Sequence, residues 1–201
     1  MNPKKQLEET LKKSSKEDIE KSKEWMKAKA KTASKENKAR RAKRRDNLLG
    51  DENRITNKIE AGKLYLFTYD AKLKEELPYW DKSPLTIMFD VTEKGHYLGL
   101  NFHYLPPILR AKLLDAILDL PTYKTKQQRI KMSYDIIRSF AASNLARPCI
   151  KQYIPSHIMG NVVEIARDEF HFIVMLPLAN FHSLTGSSSI NRVYADSKRK
   201  M

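Results

Sequence analysis

The sequence predicts an α+β fold with a small, mainly antiparallel sheet, preceded by a long basic helical arm. In the central part of the chain, three β-type runs come first, two helical runs follow, and several short β-type runs come last. Such segregation of strands from helices is typical of α+β proteins, whereas regular alternation would indicate a parallel sheet. For the topology we expect either a small sheet or a strongly bent, SH3-like barrel, with the helices inserted as a pair.

The arm is predicted to span residues 1–50. No Gly or Pro occurs between residues 4 and 49, and most residues there are good helix formers, until Gly50 breaks the run. The few apolar side chains, such as Leu7 and Leu11, do not continue with heptad regularity, which argues against a coiled coil. We favour a tail that is marginally helical alone and ordered by a partner, over a stable projecting helix or a helix packed on the body.

The body is predicted to begin at residue 62, after a linker over residues 51–61 with a short helical stretch at 55–60. Gly99 lies inside a β-type run and indicates a bulge or a close approach of a neighbouring segment. A turn at 92–95 is typical of a hairpin. The β-branched and aromatic runs of this part predict three strands, at residues 63–69, 85–91 and 96–104.

Two helices and several short strands complete the predicted body, which extends to residue 196. Apolar residues recur at helical spacing over about 108–119 and about 125–143, and prolines follow both runs. Residues 197–201 are interpreted as a basic C-terminal tail. Short apolar runs after the helices predict strands at 149–154 and 193–195, and one bent strand or two paired strands over 162–166 and 170–176.

The positive charge of the chain is concentrated at its two ends. The net charge is +14, and residues 1–46 hold seventeen Lys and Arg against eight Asp and Glu. Within residues 27–45 only Glu36 is acidic, which fits a solvated polar helix poorly. Concentrated cationic charge attracts a polyanion, so nucleic acid is the leading predicted partner. An acidic protein surface is the alternative, and a membrane is not expected because the arm lacks an apolar face.

Two groups of residues are candidates for DNA contact. Tyr79 and Trp80 follow Pro78 in a polar segment and could stack on an unpaired base, although packing of that segment over the sheet is the simpler interpretation. The basic residues of the arm and tail would hold phosphates and release counterions. The predicted phosphate contacts are Lys27, Lys29, Lys31, Lys35, Lys38, Arg40, Arg41, Lys43, Arg44, Arg45, Lys198, Arg199 and Lys200.

The sequence contains none of the common catalytic motifs. There is no Gly-rich phosphate loop, no His-Glu-x-x-His and no Gly-x-Ser-x-Gly, and Cys149 is the only cysteine. We therefore expect no cofactor and no metal ion. His103 lies at a junction of strand and helix, where a core or capping histidine is a better interpretation than a catalytic base or a ligand.

A metal-dependent nuclease is a distant alternative, because such enzymes hold a divalent ion with two or three carboxylates. The loose candidates are Asp90 and Glu93 beside Lys94, or Asp115 and Asp119 one helical turn apart. The second pair is more simply the solvated side of an amphipathic helix.

Several phrases of the body occur in an order that is similar to one known family. They are LFTYDAK at 66–72, LPYWD at 77–81, SPL at 83–85, LGLNFHYL at 98–105, RAKLLDA at 110–116, KMSYD at 131–135, RPCIK at 147–151 and VYADSKR at 193–199. Over about residues 62–200 the chain resembles the DNA end protector, or head completion, proteins of T4-like tailed phages. The first sixty residues carry none of this resemblance, and Trp80 stands where a second Tyr is expected.

The resemblance implies a virion protein that acts late in head assembly in the host cytoplasm. Such proteins are thought to cap the ends of packaged double-stranded DNA against host exonuclease, at or near the portal and neck. The family is not considered enzymatic, so no catalytic residues are carried over. We therefore predict a non-enzymatic virion protein of the head–neck vertex that binds DNA ends, portal or neck proteins, or both. The alternative is a structural neck or baseplate adaptor whose basic arm binds an acidic protein surface.

Overall fold

The computed structural model describes residues 38–106, 109–110 and 147–199. Within these residues the fold is α+β with antiparallel sheets, as predicted. Short 3-10 turns lie between several of the elements. The helices are α1 (Lys38–Leu49), α2 (Phe170–Ile173) and α3 (Ile190–Arg199). The strands are β1 (Leu64–Tyr69), β2 (Trp80–Asp81), β3 (Leu85–Val91), β4 (Tyr97–Asn101), β5 (Ile150–Tyr153), β6 (Ile158–Ile165), β7 (Phe181–Ser183) and β8 (Gly186–Ser187).

The described strands form two sheets. The larger sheet has the order β5-β4-β3-β1-β6, and the smaller has the order β2-β7-β8. The larger sheet is strongly bent, because β5 and β6 lie at its opposite edges yet are joined by residues 154–157 alone. Irregularities in register between Phe67 and Thr68, and between Met88 and Asp90, contribute to this curvature.

The expected SH3-like barrel is wrong, whereas the small antiparallel sheet is confirmed. In the described part of the chain, β5 pairs with β4 and β6 pairs with β1, and the two edge strands do not pair with each other. Strands β7 and β8 do not close the gap, because they pair with β2 in the separate sheet. The curvature of the larger sheet therefore gives an open structure.

Both faces of the larger sheet are buried. On one face, Leu64 and Leu66 of β1 join a large aliphatic and aromatic cluster that also contains Val193 of α3. On the other face, Tyr65, Phe67 and Tyr69 alternate with those leucines and form a smaller, mainly aromatic cluster. Burial on both faces follows from the period of two in an extended chain, with an apolar side chain at nearly every position.

The predicted hairpin and the predicted close approach at Gly99 are confirmed. The Thr92 N–H donates to the His96 carbonyl at 2.8 Å, which closes the turn between β3 and β4. A Cβ on Gly99 would lie 2.2 Å from Thr86 Cγ2. Glycine is therefore required at the point where β4 passes next to this side chain of β3.

Two predicted strands are helical instead. The apolar run at 170–176 begins with α2, and a short apolar run does not distinguish a buried strand from a buried helix. The expected strand at 193–195 lies inside α3, where Val193 and Ser197 are buried one turn apart. The spacing of these two residues places them on one helix face.

The linker begins with a 3-10 turn at Glu52–Arg54 and is extended at Ile55, so the helical stretch expected at 55–60 is wrong. Ile55 forms an isolated antiparallel bridge with Val163, and the Thr56 N–H donates to the Val162 carbonyl at 2.9 Å. The Arg54 guanidinium also pairs with Glu169. The linker therefore follows the outer edge of β6, because that edge offers unpaired backbone groups.

The C-terminal end of the arm packs on the body. Leu48 and Leu49 of α1 contact the large core cluster, and the Asn161 amide donates to the Leu49 carbonyl at 3.1 Å. Residues 1–37 of the arm lie outside the described residues. So do the predicted helices at 108–119 and 125–143, except for residues 109–110, which are helical.

Candidate nucleic-acid interface

A cleft of about 160 Å³ opens beside the short strand β2. One wall comes from the end of β1 and the segment before β2, and the other comes from β5 and the last turn of α3. The cleft therefore depends on segments from both halves of the chain. Its lining residues are Tyr69, Ala71, Leu77, Pro78, Tyr79, Trp80, Asp81, Asn101, Tyr104, Pro148, Lys151, Gln152, Tyr153 and Ser197.

The two predicted stacking residues differ in their environments. Tyr79 is only 7 % exposed, and its ring packs 6.1 Å from those of Tyr104 and Phe181. Trp80 is half-buried, contacts the aromatic cluster on the other face of the sheet, and stands 6.3 Å from His182. Of the two rings, Trp80 is therefore the one that a base could reach from the cleft.

Lys151 places a positive charge at the cleft. Its Nζ atom lies 4.0 Å from the centre of the Tyr104 ring, which is a cation–π distance. The side chain of Lys151 is half-buried, and the residue belongs to the edge strand β5. A cation held against a ring is more ordered than a solvated surface lysine, so it is well suited to meet an anionic group.

Asp81 organises the polar side of the cleft. One carboxylate oxygen accepts from the backbone N–H groups of Ser83 at 3.1 Å and Asn180 at 3.2 Å. The other oxygen accepts from the Asn101 amide at 3.1 Å and from His103 Nδ1 at 2.6 Å. The Asn101 amide also donates to the Tyr153 hydroxyl. These bonds join both sheets in one buried network, which restricts the motion of the cleft wall.

The charges of the Asp81 and His103 pair follow from its surroundings. Burial opposes ionisation of Asp81. The charge of His103 and the hydrogen bonds from His103, Asn101 and Ser83 outweigh this effect and lower the pKa of Asp81. Burial is the main cause that lowers the pKa of His103, and it outweighs the opposing charge of Asp81. The positive charges of Arg110 and Arg45 act in the same direction as burial. Near neutral pH the carboxyl is therefore ionised and the imidazole is neutral.

The expectation that His103 is a core histidine is confirmed. Its side chain is fully buried, and within the described part of the chain its Nε2 atom has no hydrogen-bond partner. A catalytic histidine must hand a proton to a reacting group within reach. This side chain instead uses its Nδ1 atom to hold Asp81 in place.

Arg110 fixes helix α3 against the body, and sequence reasoning did not identify it. Its guanidinium is buried and donates to the carbonyls of Leu105 at 2.9 Å, Val174 at 3.0 Å and His103 at 3.3 Å. It also donates to the Tyr194 hydroxyl of α3 at 2.7 Å. The sequence offers one signal for this role, which is an arginine inside a run with helical apolar spacing. Arginine is rarely buried unless it is paired.

The predicted phosphate-binding residues fall partly within the described chain. In α1, Arg40 and Lys43 are exposed, while Arg44 and Arg45 are half-buried; Lys38 and Arg41 also belong to this helix. In α3, Lys198 and Arg199 are exposed, and the charges of Arg192 and Arg199 act on Tyr79 in the cleft wall. Of the predicted C-terminal cations, Arg199 is thus within electrostatic range of the cleft wall. The remaining predicted contacts, Lys27, Lys29, Lys31, Lys35 and Lys200, lie outside the described residues.

Metal-binding clusters are absent from residues 38–106, 109–110 and 147–199. Asp90, one nuclease candidate, accepts a hydrogen bond from the N–H of its neighbour Val91 at 2.9 Å. Asp115 and Asp119 lie outside these ranges. The helices in the same ranges are too short or too polar to cross a membrane.

Comparison with known families gives one match. The family model described as phage T4 terminal DNA protecting protein matches residues 2–197. This match includes the basic arm, whereas the resemblance seen in the sequence covered only the body from about residue 62. No curated protein and no solved structure matches the chain.

Proposed function

Because this chain belongs to the phage T4 terminal DNA protecting protein family, we propose that it binds the ends of packaged double-stranded DNA and shields them without catalysis. The single observation that carries this proposal is a family match that extends through both the arm and the body. We further propose that the protein completes the head and acts in the virion at the head–neck vertex, with portal or neck proteins as partners.

The distribution of charge supports DNA as the ligand. Helix α1 is Lys- and Arg-rich with a single acidic residue, Asp46, and it is anchored to the core by Leu48 and Leu49. Anchoring at one end presents the exposed Lys43 from a fixed position on the body. Cations held in this way neutralise phosphates, release counterions and make binding sensitive to salt.

The chemistry of the buried polar groups supports a binding role. The Asp81 and His103 pair is the most enzyme-like feature of the described chain, yet its four acceptor positions on Asp81 are all used within the fold. A carboxylate whose acceptor positions are all occupied by donors of the fold is typical of a structural network. A protein that covers a DNA end needs positioned contacts and steric exclusion of the exonuclease, which such a rigid body provides.

An exonuclease protection assay tests the proposal. Linear blunt-ended duplex is incubated with the protein over a range of salt concentrations, and circular duplex of the same sequence serves as the competitor. We expect linear DNA to survive digestion, and we expect circular DNA to compete weakly. Removal of residues 1–37 should reduce both the affinity and its salt dependence, because the truncation removes cations while leaving α1 and its core contacts in place.

The adaptor alternative predicts a different result. Salt-insensitive association with purified portal or neck protein, together with unprotected linear DNA, would support the adaptor and contradict the proposed function. Metal-dependent cutting of the duplex that is lost on Asp90→Asn substitution would instead support the nuclease.

A further inference from the structure

We propose that the cleft beside β2 receives the terminal nucleotide of a DNA strand, with its base against Trp80 and its phosphate near Lys151. This inference rests on the proposed function, because it names the part of the DNA end that the body would hold. It assigns a ligand to a site that is distinct from the basic arm.

The first support is an unpartnered hydroxyl in the cleft wall. Ser197 is 1 % exposed, lines the cleft, and has no hydrogen-bond partner for its Oγ atom among the described residues. Buried polar groups in native proteins are almost always hydrogen-bonded, so an exception at a cleft points to a partner from outside the fold. The hydroxyl can donate to a phosphate oxygen or accept from a sugar hydroxyl.

The second support is the arrangement of rings and charge. Trp80 is the half-buried ring of the lining, and every base has a face that stacks on an aromatic ring. Lys151 supplies a cation at the same cleft, held 4.0 Å from the Tyr104 ring. A phosphate in the cleft would therefore meet the positive charge of Lys151 on β5.

Asp81 does not oppose this ligand, although it is an anion in the lining. Its carboxylate accepts four hydrogen bonds from within the fold, including one from His103. These donors offset its charge locally. Asp196, the acidic residue beside Ser197, pairs with the Arg199 guanidinium. The acidic groups near the cleft are thus compensated by partners that the fold itself supplies.

The size of the cleft admits one base at most, with the sugar and phosphate at its mouth. Its volume of about 160 Å³ is below the range of roughly 300–1,000 Å³ that is usual for sites of drug-sized ligands. A duplex step does not fit, so the terminal base must leave its pair to enter. Unpairing costs least where the base is already weakly held, as it is at a strand end. The cleft therefore discriminates an end from internal duplex by the ease of unpairing.

The test uses two matched duplexes that carry a fluorescent aminopurine either at the terminal position or in the middle. A third duplex has both ends closed by covalent hairpins. Wild-type protein should change the fluorescence of the terminal analogue only, and it should bind open ends more tightly than closed ends. Ser197→Ala should weaken binding to open ends about threefold, and Lys151→Gln about tenfold, without changing binding to closed ends. A duplex with and without a terminal phosphate distinguishes phosphate from sugar as the group that meets Ser197.

Lys94→Gln is the control for charge, since Lys94 is exposed in the turn between β3 and β4 and does not line the cleft. Ser197→Ala should fold at least as well as wild type, because it removes an unsatisfied buried group. If wild type prefers open ends while both cleft variants retain that preference and the terminal fluorescence change, Ser197 meets only water and the inference is overturned. If wild type binds open and closed ends equally, the proposed function fails instead, so the two failures are distinguishable.

Discussion

The Asp81 carboxylate lies 2.6 Å from His103 Nδ1, and both side chains are sealed from solvent. Strands β3 and β4 lie between these two residues in the sequence, so the contact forms only when β2 packs against the larger sheet. The pair therefore couples the small sheet to the large one, and the cleft wall depends on it.

Asp81→Asn should strongly destabilise the fold. The amide cannot accept all four of the hydrogen bonds that the carboxylate accepts, and it leaves buried donors unsatisfied. Leaving a buried donor unsatisfied typically costs about 1–3 kcal/mol, and more than one donor is affected here. Urea unfolding measures the change, and Asp90→Asn is the control with an expected change within about 0.5 kcal/mol. Equal stability of the two variants would contradict the role given to the network.

Stability should fall as the pH falls below 6.5, the usual pKa of histidine. The pKa of His103 is lowered by burial, so the unfolded chain binds a proton that the folded chain does not, and acid favours unfolding. The pKa of Asp81 is also lowered in the fold, which adds a second loss below 3.8. Denaturant unfolding at a series of pH values measures both steps. His103→Gln should flatten the upper step, and an unchanged slope in that variant would exclude His103 as its source.

Gly99→Ala should cost about 1–3 kcal/mol of folding free energy, which is typical of overpacking. The new methyl group would lie 2.2 Å from Thr86 Cγ2 and 3.1 Å from Met88 Sδ. Thr86→Ser in the same chain removes the closest methyl group and keeps the hydroxyl that meets Tyr153 at 3.1 Å. We expect the double variant to recover part of the loss in thermal melts. A double variant less stable than Gly99→Ala would show that the clash lies elsewhere.

Tyr194→Phe should loosen α3 while leaving the rest of the fold in place. The substitution removes the hydroxyl that accepts from the Arg110 guanidinium at 2.7 Å, at an expected cost of about 1–3 kcal/mol. Hydrogen exchange should show faster opening of α3 than of β1. Tyr97→Phe is the control, since Tyr97 is a half-buried tyrosine of β4 outside this contact. Uniformly faster exchange in both elements would contradict a local role.

Lys43→Gln should weaken DNA binding by the same factor for open and closed ends. Lys43 is exposed on α1, and a cation that meets a phosphate contributes about 0.9 to the slope of log affinity against log salt. A salt titration therefore measures a slope smaller by about one. Lys94→Gln removes the same charge from the turn between β3 and β4 and should leave the slope unchanged. Identical slopes for the two variants would show that Lys43 of α1 does not contact a DNA phosphate.

The elements that were predicted well are those whose pattern is local. The alternation of Leu64 and Leu66 with Tyr65 and Phe67 indicates a strand, and the structure buries both sets on opposite faces. The turn before Tyr97 contains the glycine that it needs, with a φ of 74° at Gly95. In both places the backbone preference and the packing agree, so the sequence pattern was sufficient.

The elements that were predicted wrongly are those whose pattern fits two structures. The run that begins at Phe170 is apolar at nearly every position, which suits a buried strand and a buried helix equally. The three residues from Val193 suit a strand when taken alone, whereas Ser197 extends the same helix face by one turn. Tertiary packing against the core decides such segments, because their intrinsic preferences are weak.

By itself the sequence determined the antiparallel α+β class, the positions of the main strands and the concentration of positive charge at the two ends. Only the tertiary structure brought Asp81, Asn101 and His103 into one network, and only it placed Ser197 and Lys151 in the lining of one cleft. The physical reason is that charge and hydrophobic period are properties of neighbouring residues, whereas a buried hydrogen bond depends on where the chain returns after long excursions. The basic arm could therefore be recognised from its composition, while the cleft could be recognised only from the fold.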